Sequence, residues 1–425
     1  MDDRERLGDR YRGVLALPAF RALWAAQMLA SLGESLSSIA LPLLAYAITG
    51  SAQLASQVFV ARLLPLILLA PVSGVLADRV DRRRLMLAAD VIRAGLVALI
   101  PFATEGWQLA VLAALVAVND AVARPAALVA VPVVVPPAQL VQALSATQVG
   151  SSAIRVVGPA IGAAIVGVAG AGPAFGLQAV CFLLAAIALL PLRLPPVPSG
   201  LERRPAVRVA MWEGLRTVRR NPVVRGTAAV EALWQTVTAV LAIALVVYVE
   251  RSLGFGREGG RVYALLMAAV SLGAALGAIV AGRVEARLGR PRLMAIGYLA
   301  PLLMVPAVAT PPLPVLVACL FALGFTDAWA VIAMQAYLAE SVSDELRGRV
   351  YAGWTAVVTV GAAVAFLAVG WLTTNWGPPR TLAAAGLMVG LGGPLLLWRS
   401  GALAAMRRHR PVALSEATGV AEPAI

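Results

Sequence analysis

From Ala19 onward the chain alternates long apolar stretches with short polar turns. Twelve apolar segments stand out, at 19–47, 54–77, 85–103, 108–129, 141–168, 173–192, 223–249, 259–282, 292–310, 314–338, 350–373 and 380–399. Each is close to or above the ~20 residues that an α-helix needs to cross the hydrocarbon core. In lipid, a segment satisfies its own backbone groups only as a helix. The pattern therefore predicts an all-α membrane protein with twelve transmembrane helices. Only one internal connection, 193–222, is long. It opens in the Pro-rich stretch LRLPPVPSG. Val207, Met211, Leu215 and Val218 then recur at helical spacing among Arg208, Arg216, Arg219 and Arg220, as in an amphipathic helix lying on a membrane surface. This reading gives a tail at 1–18, a six-helix bundle at 19–192, a linker at 193–222, a second six-helix bundle at 223–400 and a tail at 401–425.

The two bundles carry a repeat. Gly74 to Met86 reads GVLADRVDRRRLM, and 208 residues later Gly282 to Met294 reads GRVEARLGRPRLM. Gly74, Arg79, Arg82, Arg84, Leu85 and Met86 return as Gly282, Arg287, Arg290, Arg292, Leu293 and Met294. Each copy is a tight basic turn between the second and third spans of its half. Two pseudosymmetric bundles of this kind point to a secondary transporter.

Composition agrees. The chain is 60% hydrophobic and 13% charged, against about 25% charged in a soluble domain, and its mean hydropathy is +0.84. The net charge of +13 comes from 35 arginines and no lysine. These arginines flank membrane segments rather than covering a soluble face, which excludes a nucleic-acid partner. With both termini on one side, 27 arginines fall on that side and 4 on the other. The positive-inside rule then places both termini in the cytoplasm of a multi-pass plasma-membrane protein. The first 18 residues read as a charged cytoplasmic tail, and the apolar stretch after them is too long for a signal peptide. Cys181 and Cys319 lie within apolar segments, as small buried hydrophobes. The single histidine, His409, is in the C-terminal tail, so no metal site is expected. No G-x-x-x-x-G-K loop is present, and no nucleophile is paired with a base. The sequence thus speaks against a nucleotide-driven pump, an enzyme and any cofactor.

Ionisable residues inside spans are the candidates for function. Glu34 lies ~22 Å along the first segment at 1.5 Å per residue, near the bilayer midplane. It suits a proton-coupling or substrate-binding acid, or else a structural ion pair. Asp120 and Asp327 are repeat mates at similar depth, as are Asn119 and Thr326, and two acids so placed would face one central cavity or serve packing. Arg155 is the expected counter-charge for Glu34 or Asp120, with a local Asp120–Arg124 pair as the alternative. Asp90 and Arg93 read as a structural i, i+3 pair. Glu231, with Gln235 one turn on, suits polar groups of a substrate.

The chain resembles the major facilitator superfamily, in its drug- and siderophore-exporter branch. The resemblance rests on Gly74, Leu76, Asp78, Arg79, Arg82 and Arg83, which match the loop motif G-x-L-A-D-R-x-G-R-R/K. Asp81 stands where that motif has glycine; the second copy restores it as Gly289 but carries Ala286 in place of the acid. Ser31-Leu32-Gly33-Glu34, Asp90 with Arg93, Ala123-Arg124-Pro125-Ala126 and Arg347-Gly348-Arg349-Val350 also match. So does Gly158-Pro159-Ala160-Ile161-Gly162, a partial form of the exporter motif GPxxGG in which Ala163 replaces the last glycine.

The resemblance implies the major facilitator fold and a cytoplasmic gate of Gly74, Asp78, Arg79, Arg82 and Arg83, with Arg287 and Arg290 in the second copy. Asp78 would meet the N-terminus of the eleventh helix in the inside-closed state. Gly158, Pro159 and Gly162 would serve close packing and bending of the fifth helix. The expected function is secondary active, proton-coupled efflux of a small amphipathic or cationic compound by a monomer in the lipid bilayer. The alternatives are export of a specific metabolite such as a siderophore, or a non-transporting membrane sensor.

Overall fold

A computed structural model describes residues 13–79, 81–136, 139–192, 221–309, 313–340 and 344–402, with positions 194, 216 and 219 between them. Twelve of its helices are long and apolar enough to cross a membrane. They are, or begin with, α1 (Pro18–Thr49), α2 (Ala52–Arg79), α3 (Arg82–Leu99), α4 (Gly106–Val134), α5 (Leu140–Ala169), α6 (Ala171–Leu189), α7 (Pro222–Ala239), α8 (Gly259–Leu288), α9 (Arg290–Leu299), α10 (Leu313–Glu340), α11 (Asp344–Trp376) and α12 (Pro378–Arg399). Two spans continue in altered helical form. α7 runs on through π-helical turns at Val240–Ala244 and Tyr248–Ser252. After α9 comes a 3-10 stretch, Ala300–Leu303, and then Met304–Ala309. Pro301 explains that second break, because proline removes a backbone donor and crowds the preceding turn.

The halves pack alike. α1 lies on α5 and α6 as α7 lies on α11 and α12, and α2 lies on α4 as α8 lies on α10. The bundles meet along two symmetric seams, α2 with α11 and α5 with α8. Large apolar side chains left exposed, such as Leu68 at 68% and Ile279 at 70%, mark the surfaces that only lipid can cover.

Glycine permits the closest approach in each half. A Cβ at Gly162 would stand 2.8 Å from the Leu36 carbonyl oxygen, and Gly158 abuts Ser35, so α5 meets α1 backbone to side chain. In the second half Gly277 of α8 lies directly against the Phe325 backbone of α10.

The two copies of the basic turn are built differently. Gly289 ends α8 at φ 77°, a left-handed conformation that favours glycine. Asp81 occupies the matching turn at φ −54°, and its carboxylate accepts from the Arg84 backbone N–H at 2.9 Å, capping α3. A side-chain cap thus does in the first half what a glycine does in the second. Apart from Arg216, the amphipathic helix expected at 207–218 lies outside the described residues, as do the tails at 1–12 and 403–425.

Candidate functional site

A cavity of about 290 Å³ lies between the halves. Five helices line it: α1 with Ser38 and Ile39, α5 with Arg155, Val156 and Pro159, the α7 span, α8 and α10. The α7 contribution includes Trp234 and Thr238, and also Leu241 and Ala242 in the π-helical turn. α8 adds Tyr263, Met267 and Ser271, and α10 adds Leu323, Gly324 and Asp327. A π-turn at the cavity wall fits the tendency of such bulges to occur at functional sites.

Ionisable side chains within the spans gather in two groups. In the first half Arg93 of α3 is a hub. It forms ion pairs with Glu34 of α1 at 3.3 Å, with Asp120 of α4 at 2.8 Å, and with Asp90 one turn back on its own helix. Its guanidinium also lies over the Phe182 ring of α6, 4.6 Å from the centroid. Four helices of one bundle therefore converge on one cation. Side-chain exposure is 11% for Arg93, 6% for Asp90 and 18% for Asp120, against 34% for Glu34. Desolvated charges hold such positions only when paired.

The second half holds the other group. Glu231 of α7 and Asp327 of α10 are within electrostatic reach of each other, and both bear on the Tyr298 hydroxyl of α9. Gln235 Nε2 donates to Glu231 Oε1 at 3.3 Å. Tyr298 is fully buried, donates to Met334 Sδ at 3.5 Å and meets Trp234 edge to face at 5.7 Å. Among the described residues neither Glu231 nor Asp327 has an arginine partner.

Several expectations change here. Arg155 is not the counter-charge of Glu34 or Asp120; its Nη2 donates to Ser152 Oγ at 2.8 Å, and Arg93 takes both acids. The reason is geometric: α3 and α4 pack together within the first bundle, whereas Arg155 is turned toward the seam and lines the cavity. Asp120 and Asp327 do not share that cavity. Asp327 lines it, while Asp120 is held inside its own bundle by Arg93. Asp90 and Arg93 form their i, i+3 pair, but as part of a four-helix network. Glu34 stands one turn before Ser38 on α1, on the same face. Asn119 is half-buried, and its Oδ1 has no partner among the described residues. Thr326, its mate, bonds back to the Ala322 and Leu323 carbonyls.

Sequence reading missed Arg93 as a hub, and it missed Tyr298, Trp234 and Tyr263. One signal was available. Tyr298 lies 208 residues after Asp90, the offset of the basic turns, so the repeat itself aligns an aromatic hydroxyl with an acid.

Of the gate residues, Gly74, Asp78 and Arg79 lie in the last turns of α2, and their side-chain contacts fall outside what the structure describes. Arg83 donates to the Leu189 and Leu190 carbonyls, capping the C-terminal end of α6. The Arg82 Nε is buried with no partner among the described residues. Arg287 is exposed. Arg290 pairs with Glu285 and lies over the Tyr337 ring at 5.7 Å.

At the end of the molecule away from Gly13 and Ala402, the halves are joined. Phe59 of α2 stacks on Phe366 of α11 with centroids 4.6 Å apart. Gly370 of α11 lies against Ser56 of α2. Arg251 donates to the Gly50 carbonyl at 3.0 Å and lies over the Tyr46 ring.

Known proteins repeat this architecture. The nucleoside transporter NupG superposes with a TM-score of 0.69 at 11% identity, covering 91% of this chain and 99% of its own. A bacterial homologue of the human lysosomal transporter Spinster, solved inward-facing and unoccupied, gives a TM-score of 0.63 at 16% identity, over 92% and 97%. At these identities the likeness is one of fold. By sequence, the enterobactin exporter EntS of Salmonella typhi is 26% identical over 402 residues, 93% of this chain and 95% of that protein. The MFS-type transporter YfiS of Bacillus subtilis is 30% identical over 208 residues, about half of each chain. The family model of the transmembrane secretion effectors matches residues 13–409. With twelve spans in two like bundles and that match over nearly its whole length, the chain belongs to the transmembrane secretion effector family and is a multi-pass transporter of the major facilitator superfamily.

Proposed function

We propose that the protein exports a small amphipathic molecule by alternating access, driven by protons. The observation that carries this reading is the cavity between the halves, with an ionisable wall and a closed far end. By arginine bias the termini face the cytoplasm, so the Phe59–Phe366 stack and the Arg251 contact close the outer side. In alternating access a cavity closed to the outside is reached from within, and the match to the transmembrane secretion effectors favours export as the direction. Rocking of the two bundles about the α2–α11 and α5–α8 seams would then expose it outward.

Asp327 and Glu231 carry the coupling proton in this reading, rather than Glu34. A carboxylate within a span is costly to keep charged unless it is paired. Glu34 has Arg93 at 3.3 Å, and Asp327 has no cation among the described residues. Proton binding at the C-terminal pair would thus be linked to what occupies the cavity. The cargo class follows the relatives: enterobactin exporters match over 93% of the chain, which favours a secreted metabolite such as a siderophore over general drug efflux.

Everted vesicles bearing the protein test transport and coupling together. Accumulation of enterobactin, or of ethidium for the drug reading, is expected only with an imposed pH gradient and should collapse with a protonophore. Accumulation indifferent to the gradient would overturn proton coupling. A protein that moves no compound at all, and tolerates neutralisation of its cavity acids, would be a sensor instead.

A further inference from the structure

The cavity holds one cation whose role the transport cycle leaves open. Arg155 lies on the α5 wall, exposed, at the seam between the bundles. A guanidinium has five N–H donors, and this one spends a donor on Ser152 Oγ, one turn back on its own helix. Among the described residues it has no carboxylate partner. The nearby acids of its own bundle, Glu34 and Asp120, are gathered on Arg93. Asp327 lines the same cavity from the opposite bundle without forming an ion pair to it. The cavity is therefore bipolar, with a guanidinium on one wall, a carboxylate on the other, and Trp234, Tyr263 and Met267 along the apolar part.

From this geometry we infer that the cargo is anionic at one end. The site takes an aryl or similarly flat apolar body bearing a carboxylate, a phosphate or an ionised catechol, and that group docks on Arg155. A planar guanidinium fork matches such two-oxygen groups with paired, charge-assisted hydrogen bonds. A donor on the far side of the molecule faces Asp327. At about 290 Å³, near the lower end of the usual ligand-pocket range of ~300–1,000 Å³, the cavity admits one such group with its ring. This inference rests on the transport reading, since it names the chemistry of what that cavity carries. Of the amphipathic or cationic compounds expected from sequence, it selects amphipathic ones that bear an acid.

The test uses the purified full chain in nanodiscs of phosphatidylcholine, with three probes that share one fluorophore. They are dansylglycine (anionic), dansylamide (neutral) and dansylcadaverine (cationic). Wild type is expected to bind dansylglycine about tenfold or more tighter than the other two, the worth of one charge-assisted contact. Arg155→Gln erases that preference and Arg155→Lys keeps part of it. Size-exclusion profiles and thermal unfolding establish that each variant is folded; if Arg155→Gln is not, the Arg155→Lys loss and the wild-type ranking decide. Tighter binding of the cation, equal binding of all three probes, or no binding overturns the inference. So does loss of dansylglycine binding when phosphatidylglycerol is added, which would assign Arg155 to a lipid headgroup. Because these are equilibrium measurements without a gradient, they stand apart from transport. Failure of vesicle accumulation with the preference intact would sink the exporter reading and spare the anion site.

Discussion

The two bundles share a fold and a repeat, yet they treat buried charge in opposite ways. In the first, three carboxylates from three helices surround Arg93. In the second, Glu231 and Asp327 approach each other with Gln235 and Tyr298 nearby and no arginine among the described residues. A compensated cluster holds its helices together. An uncompensated acid at a cavity wall is poorly stable when charged and responds to whatever enters. The contrast suggests a division of labour, with the N-terminal bundle as the rigid partner and the C-terminal bundle as the responsive one.

The largest effect should come from removing the hub. Arg93→Gln leaves three carboxylates without their common cation, and breaking a buried pair costs about 3–5 kcal/mol. The thermal unfolding midpoint in detergent should fall steeply, whatever happens to transport. A variant as stable as wild type would mean the cluster does not hold the bundle.

Gly162→Ala should cost less, about 1–3 kcal/mol, because its Cβ would press on the Leu36 carbonyl at 2.8 Å. Stability without activity is again the readout, and an unchanged midpoint would show that α5 can shift off α1. The smallest loss is expected from Glu34→Gln. Glu34 is the most exposed of the three acids, so solvent screening limits its contribution to about 1 kcal/mol or less. A loss as large as that of Arg93→Gln would make Glu34 the keystone instead.

Much of this fold was legible in the sequence because hydrophobic length and arginine bias act locally and repeat twelve times. Apolar runs such as 19–47 and 380–399 became α1 and α12 within two residues at either end. Even the departure at Asp81 was visible, although its capping role was not, since that depends on a turn the pattern does not specify. The partners of buried charges were less legible. Periodicity gives the depth of Glu34, Asp120 and Arg155, but which of them meet depends on helix rotation. Helix rotation is set by packing, here by glycines such as Gly158 and Gly162 drawing α5 onto α1. Depth alone favoured Arg155 as the counter-charge; rotation gave the acids to Arg93 and left Arg155 facing the seam.

Proton flux reports whether the C-terminal acids, rather than the N-terminal cluster, couple protons to cargo. Proteoliposomes containing wild type, Asp327→Asn or Glu34→Gln and a trapped pH dye are given a downhill gradient of a transported compound. Cargo-driven proton movement is expected with wild type and Glu34→Gln. With Asp327→Asn, the cargo should still exchange but no protons should move. Proton movement that persists in Asp327→Asn and vanishes in Glu34→Gln would contradict that coupling role.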